Sequence, residues 1–248
     1  MSVLVTGASV GFGAAIVRRL VKEDYKVIAL ARRKDKLREL QKECGKNCKI
    51  LAIDVKDTQK IKDEIDRFDD DFRNIDILVN NAGLALGLCS ADKADIKDWE
   101  EMIEINVLAL VRLSRIFLPD MVERKNGHII NIGSIAGSYP YPGGNVYGAT
   151  KAFVKQFSLN LRADLFDKNI RVTDIEPGLS GGSEFSLVRF KGDKKAADKV
   201  YENANPLLPQ DIAEAVFFAI NMPKRVNINR IEMMPTTQAP SALNVFKG

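Results

Sequence analysis

The chain has a single histidine, His128, three cysteines, no repeat, no linker rich in proline or glycine, and no block of one charge. Each shortage removes a class of function. With one histidine, the Ser-His-Asp and Cys-His nucleophile arrangements depend wholly on His128, which opens the apolar run HIINIG and is expected to be structural, at a strand's edge. A general base must then be another residue type. Cys44, Cys48 and Cys89 are odd in number and lie near no histidine cluster, so reduced structural thiols are expected, and neither a disulfide nor a metal site is. No apolar run approaches the ~20 residues of a membrane span, and residues 3–5 already read as a core strand where a signal peptide would stand. A cytoplasmic protein with no membrane partner is expected. Thirty-seven basic residues against 33 acidic ones leave a net charge of +4, interspersed along helical patterns, so nothing calls for nucleic acid.

What is present is a chain of 248 residues, 46% of them apolar, enough to bury one sizeable core. Short apolar, β-rich runs at 3–5, 27–30, 50–53, 75–79, 128–132, 171–175 and 229–234 alternate with longer helical patterns. Alternation on this scale predicts a single α/β domain over 1–248, a doubly wound Rossmann fold with a seven-stranded parallel sheet covered by helices on both faces. Ligands in such sheets bind beyond the carboxyl ends of the strands, where the polar motifs of this chain fall.

After the first strand comes TGASVGFG, residues 6–13, followed by the helical run AAIVRRLVKE. Gly7, Gly11 and Gly13 let the backbone turn tightly and approach a pyrophosphate, and the helix behind them offers free N–H groups and a positive dipole end. A purely structural turn has the same composition; its place before a helix at the start of an alternating chain favours a dinucleotide. After the second strand, KVIALARRK holds no acid to accept hydrogen bonds from the ribose hydroxyls of NAD. Arg32 and Arg33 stand there instead, cations that oppose a helix dipole unless a 2′-phosphate lies between them. NADP is the expected cofactor.

The stretch SIAGSYPYPGGNVYGATK, residues 134–151, carries three polar side chains with the spacing of a proton-transfer device. Tyr147 and Lys151 fall one helical turn apart, and an ammonium beside a phenol lowers a pKa that starts at about 10. Ser134 ends a strand and is placed to donate to the same substrate oxygen. A packed ring beside a solvated amine has the same spacing, so the pair alone is weak.

Taken in order, TGASVGFG, Asp54-Val55, Asn80-Asn81-Ala82-Gly83, Asn106 within EEMIEINVLALVRLSRIFLP, Ser134, Tyr147 with Lys151, and Pro177-Gly178 resemble the short-chain dehydrogenases/reductases from end to end. The resemblance implies that Tyr147 is the catalytic acid/base, that Ser134 orients the substrate oxygen, and that Lys151 holds the nicotinamide ribose while lowering the tyrosine pKa. It implies that Asn106 completes a water-linked proton relay, although an asparagine within a helix commonly faces solvent. The cofactor would be held by Gly7, Ser9, Gly11, Phe12, Gly13, Arg32, Arg33, Asp54, Val55, Asn81, Ala82, Gly83, Tyr147, Lys151, Pro177 and Gly178. Asp54 is equally suited to a turn or helix cap, and Asn81 to a structural turn.

Within the family, GGNVYGATKAFVKQFSLNLRADL and EPG followed by GGSEFSLVRFKGD are similar to the NADP-dependent 3-hydroxy acid dehydrogenases of bacteria and yeast. That implies substrates such as serine, allo-threonine and 3-hydroxypropionate. Ser180 and Ser183 stand where an aliphatic residue and a threonine are expected. Proline and glycines near its start make residues 179–205 a mobile covering segment over nicotinamide and substrate. Arg189 there, with Lys191 second, is the candidate anchor for a substrate carboxylate, since guanidinium binds carboxylate bidentately; a surface arginine is the alternative. Two other functions are compatible with the motifs, an enzyme of this fold acting on a ketoacyl thioester, sugar or ketone, and a non-catalytic NADP-binding regulator. A regulator need not keep Ser134, Tyr147, Lys151 and Asn106 together. The run from Tyr147 to Asp167 carries Phe153, Val154, Phe157, Leu159, Leu161 and Leu165, more apolar positions than one stripe on a sheet requires, so a homotetramer is expected.

Overall fold

The computed structural model describes residues 1–240; residues 241–248, which the single-domain expectation included, lie outside the described residues. In chain order the elements are β1 (Ser2–Thr6), α1 (Gly11–Val21), β2 (Lys26–Ala31), α2 (Lys34–Cys44), β3 (Cys48–Ala52), α3 (Thr58–Asp66), α4 (Asp70–Arg73), β4 (Ile75–Asn80), α5 (Ile96–Ile103), α6 (Leu110–Glu123), β5 (Gly127–Ile132), α7 (Asn145–Leu165), β6 (Ile170–Pro177), α8 (Phe185–Arg189), α9 (Lys194–Lys199), α10 (Pro209–Asn221) and β7 (Arg230–Met233). Each apolar run of the sequence is a strand and each long amphipathic run a helix.

The strands form one parallel sheet in the order β3-β2-β1-β4-β5-β6-β7. The order reverses between β1 and β4, which leaves a crevice at their carboxyl ends. Because strand side chains alternate, the sheet feeds two cores. Val3, Val5, Val27 and Ile175 pack with α1 and α10 on one face; Leu4, Ile28, Leu78 and Val172 pack with α3, α6 and α7 on the other. Burial on both faces explains why the strands read as apolar runs with little alternation.

Three local features differ from the sequence reading. His128 is not at an edge; it is buried in β5, an interior strand, with Nε2 2.8 Å from Thr173 Oγ1. Burial holds its pKa well below the ordinary value, with Arg171 adding to the effect, so the ring is neutral and structural. Residues 179–205 carry two short helices, α8 and α9, set between turns and loop. Asn106 lies in a π-helical turn, Glu104–Ala109, that joins α5 to α6, and is buried rather than solvent-facing.

Candidate active site

The carboxyl ends of the strands open into a cleft of about 740 Å³, within the range of ligand pockets. Lining it are Gly7, Ser9, Gly11, Phe12, Arg32, Arg33, Asp54, Val55, Asn81, Ala82, Gly83, Ser134, Tyr147, Lys151, Pro177, Gly178 and Arg189, so nearly every residue singled out in the sequence meets in one place. Gly13 and Asn106 are absent from that lining. Gly13 lies behind the turn, where an added Cβ would come 2.7 Å from Asn81 Nδ2 and 2.8 Å from Ala8 Cα, so its glycine keeps the turn packed on α1. Asn106 clamps the backbone after β4: Oδ1 accepts from Leu84 N at 2.9 Å while Nδ2 donates to Leu84 O at 2.8 Å and Thr150 Oγ1 at 3.1 Å. Its side chain thereby ties the backbone after β4 to α7.

The two halves of the crevice are tied together by short polar contacts. Thr6 Oγ1 accepts from Asn81 N at 2.9 Å and Ala82 N at 2.8 Å, and Asn81 Nδ2 donates back to Thr6 O at 2.8 Å. Asn81 is thus a structural asparagine, and it lines the cleft together with Ala82 and Gly83. Asp54 Oδ1 accepts from Lys56 N at 3.0 Å, the geometry of a turn residue, while the residue also lines the cleft. Arg33 donates to Ser9 Oγ at 3.1 Å, joining the end of β2 to the glycine turn. The cradle fits a dinucleotide phosphate: a helix N-terminus, glycines, and two guanidinium groups at one end of an elongated cleft.

Ser134, Tyr147 and Lys151 converge at the other end. Ser134 caps a short 3₁₀ turn, its Oγ accepting from Ala136 N at 3.1 Å and donating to Pro177 O at 3.5 Å, and it lines the cleft with Tyr147. Tyr147 and Lys151 occupy one face of α7, and both are buried. Lys151 Nζ donates to Ile132 O at 2.7 Å and stands 5.9 Å from the Tyr147 ring centroid. This corrects the simple expectation of a lowered phenol. Burial outweighs every neighbouring charge and pushes Tyr147 up to about 12, with Ser134 and Arg189 pulling it down and Tyr141 adding to the rise. Burial likewise pushes Lys151 down to about 8, opposed by the charge of Asp174. The pair is thus a neutral phenol beside a lysine whose basicity burial has reduced.

Residues 179–205 reach over both ends of the cleft. An added Cβ on Gly11 would meet Ser183 Cβ at 2.8 Å, and Arg33 Nη1 pairs with Glu184 Oε2 at 2.7 Å. Phe185 packs against Tyr147 with ring centroids 5.8 Å apart. Arg189 donates from Nε to Gly87 O at 3.1 Å and from Nη2 to Tyr141 Oη at 2.8 Å, which suspends its guanidinium 5.7 Å from the Tyr147 ring. Lys191, the second candidate anchor, is turned away into an ion pair with Asp98 at 2.8 Å. Ser180 Oγ donates to Gly178 O at 3.0 Å, so the unexpected hydroxyl is satisfied locally. Tyr141, Phe185 and Glu184 were not picked out by sequence reasoning. Tyr141 lies within the 134–151 stretch, and its aromatic, proline-flanked setting in YPYPGG was the available signal.

Residues 1–186 match a family model described as short chain dehydrogenase. The chain is 56% identical over 247 residues to the NADP-dependent 3-hydroxy acid dehydrogenase YdfG of Escherichia coli (strain K12), covering 100% of both chains. It is 45% identical over 246 residues to the serine 3-dehydrogenase of Rhizobium radiobacter, covering 99% of this chain and 98% of the relative. Among solved structures, the closed form of serine dehydrogenase complexed with NADP+ superposes with a TM-score of 0.98 at 56% identity, covering 100% of both chains. A glycine turn at the crevice, a serine, tyrosine and lysine converging beside it, and this likeness along the whole length have one reading: the chain belongs to the short-chain dehydrogenase family.

Proposed function

We propose that the protein is an NADP-dependent oxidoreductase that moves hydride between NADP and the 3-hydroxyl-bearing carbon of small 3-hydroxy acids such as serine, allo-threonine and 3-hydroxypropionate. The observation that carries this reading is the guanidinium of Arg189, held beside the Tyr147 ring by Gly87 and Tyr141 with N–H groups that have no acceptor among the described residues. A carboxylate bound there would lie beside Tyr147, the residue proposed to exchange the proton of the 3-hydroxyl. The names of the full-length relatives favour the same substrate class.

Gly7, Ser9, Gly11 and Phe12 would hold the pyrophosphate side, Arg32 and Arg33 the 2′-phosphate, Asp54 and Val55 the adenine, and Asn81, Ala82, Gly83, Pro177 and Gly178 the nicotinamide half. When bound, NADP supplies the hydride acceptor or donor and, in its oxidised form, a positive charge. Ser134 donates a hydrogen bond to the substrate oxygen and holds it in line with Tyr147. In oxidation Tyr147 takes the hydroxyl proton as phenolate; in reduction it returns that proton as a phenol. Lys151 holds the ribose, and its ammonium favours the phenolate. Asn106 would complete a water-linked proton relay while its side chain fixes the Leu84 backbone and the Thr150 hydroxyl. Residues 1–248 work as one domain in which 179–205 form the cover, excluding water while the reaction proceeds.

Initial rates of NADP reduction with serine, allo-threonine, 3-hydroxypropionate, a ketone-derived alcohol and a sugar test the assignment. The hydroxy acids should be preferred, and Arg189→Gln should raise KM for them at least tenfold while leaving cofactor affinity alone. Faster turnover of the uncharged alcohols, or an unchanged KM in the variant, would assign the enzyme to another carbonyl.

Assembly and location complete the proposal. Phe153 and Leu159 on α7, and Ile103 and Leu108 at the α5–α6 junction, are exposed and apolar, which supports association through α6 and α7 into a homotetramer. Light scattering at micromolar concentration should give four times the chain mass, and a monomer would refute it. Three free cysteines suit the reducing cytoplasm.

A further inference from the structure

All three cysteines are free thiols, as the sequence leads one to expect, but they do not stand alike. Cys89 is exposed and solitary in the loop between β4 and α5, whereas Cys44 and Cys48 meet where α2 turns into β3, at the end of the sheet away from the cleft. Cys44 is the last residue of α2. Gly45 follows with φ of 67°, in the left-handed region, although an added Cβ would meet nothing within 4 Å, so the backbone turn and not crowding calls for glycine there. The turn returns the chain to the helix it has just left: Cys48 N donates to Gly45 O, and Gln41 Nε2, in the last turn of α2, donates to Cys48 O at 3.1 Å. Lys26 on β2 holds the turn in place, its Nζ donating to Asn47 Oδ1 at 2.8 Å. Both cysteine side chains reach the core shared with α1 and α10. Cys48 is 1% exposed within it, and Cys44, half-buried, packs against it. At rest Cys48 Sγ has one weak partner, Lys49 O at 3.6 Å.

We propose that Cys44 and Cys48 form a site of reversible oxidation, in which Cys44 meets a hydroperoxide and Cys48 resolves it to a disulfide. The tight turn and the shared core are what a bridge requires, Cα atoms within about 7 Å and side chains on one side. Access sets the order, since solvent reaches Cys44 while Cys48 lies behind it in the core. The neighbouring Cys48 thiol, with Arg18 in support, lowers Cys44 against its burial and Glu43, and the same neighbour together with burial raises Cys48. In the first step the Cys44 thiolate attacks one peroxide oxygen: an S–O bond forms, the O–O bond breaks, and the leaving hydroxide takes a proton to become water. The Cys48 sulfur then attacks the Cys44 sulfur; the S–S bond forms, the S–O bond breaks, and the second hydroxide leaves with the Cys48 proton as water. Two electrons pass from the two sulfurs to the peroxide. Two equivalents of a small thiol reverse the change and become a disulfide themselves. From Cys48 the chain runs along β3 and enters the cleft at Ile53, roughly 17 Å away at about 3.3 Å per residue, so the pair is oxidised without touching the nucleotide.

Thiol content is the readout, so the result is independent of the substrate proposed above. Full-length protein freed of reductant is treated with hydrogen peroxide, unfolded in N-ethylmaleimide and weighed by mass spectrometry. Reduced protein takes up three maleimides, one for each cysteine. After peroxide it should take up a single one, on Cys89, with the unlabelled chain about 2 Da lighter, and dithiothreitol should restore full uptake. Trypsin cuts after Lys42, Lys46 and Lys49, so the bridge should appear as residues 43–46 joined to residues 47–49. Variants read the order of attack. In Cys48→Ala, dimedone should label a sulfenic acid on Cys44; in Cys44→Ser, the buried Cys48 should stay unlabelled. Should Cys48→Ala fail to fold, the joined peptides of the wild-type protein decide alone. Unchanged uptake, loss confined to Cys89, or oxidation of Cys44 without joined peptides would overturn the proposal, and dimedone on Cys48 but not on Cys44 would overturn the assigned order. NADP-dependent turnover should be the same before and after oxidation; a fall that tracks the bridge would overturn the separation of this pair from the cleft.

Discussion

Tyr147 shows how burial and charge compete at one side chain. Its phenol is enclosed by Phe185, Lys151 and the cover, and desolvation carries it to about 12 even with a guanidinium 5.7 Å from its ring. A phenol at that value serves readily as the acid of the reducing direction, whereas oxidation must wait for its proton to leave. The rate of oxidation should therefore rise with pH, as the phenolate is the active form, and the rate of reduction should not. Tyr147→Phe removes the acid/base and almost no volume, so turnover should fall by about 10²–10⁴-fold while NADPH binding persists, as read by single-turnover kinetics and cofactor fluorescence. Near-normal turnover in that variant would leave Tyr147 as a packed ring and no more.

At the scale of elements, the site is made where ends of elements meet. The end of β2 contributes Arg32 and Arg33, the turn before α1 contributes Ser9, and the start of α8 brings Glu184 to within 2.7 Å of Arg33. The Arg33–Glu184 pair, exposed on both sides, is of little worth to stability, so a bound phosphate can take over the guanidinium. Replacing Arg32 and Arg33 together by glutamine should weaken NADP binding by several kcal/mol at most, since charge-assisted hydrogen bonds contribute about 1.5–3 kcal/mol each, and leave NAD almost unaffected. Calorimetric titration of both cofactors measures the ratio; an unchanged preference would mean that the 2′-phosphate binds elsewhere.

For the whole molecule, the lone histidine makes pH-dependent stability unusually easy to dissect. His128 is 2% exposed and neutral, with a folded-state pKa below its unfolded value of about 6.5. Between those two values the unfolded chain binds more protons than the folded one, so the contribution to stability is present above about pH 6.5 and is lost as pH falls, by up to about 1.4 kcal/mol per pH unit. Asp174, raised in the fold, acts in the opposite sense, and only a difference measurement separates them. Urea denaturation of wild type and His128→Asn should show the wild type losing more stability between neutral and mildly acidic pH. Parallel curves would mean that the imidazole is protonated in the fold.

The sequence by itself determined the layout: strand runs and helical periods set the doubly wound sheet, and the glycine turn, Arg32, Arg33, Ser134, Tyr147 and Lys151 were legible because covalent order puts each at the end of a strand or on one face of a helix. Tertiary structure decided what depends on neighbours distant in sequence. Arg189 and Lys191 are two residues apart and chemically alike, yet Gly87 and Tyr141 draw one over the site while Asp98 draws the other to the surface. Asn106 was readable as a polar residue in a helix, but only the π-helical turn, which leaves it facing Leu84, shows that its amide holds the backbone after β4. The sign of the Tyr147 shift follows from desolvation. That quantity depends on everything packed around a group, and no spacing along the chain reports it.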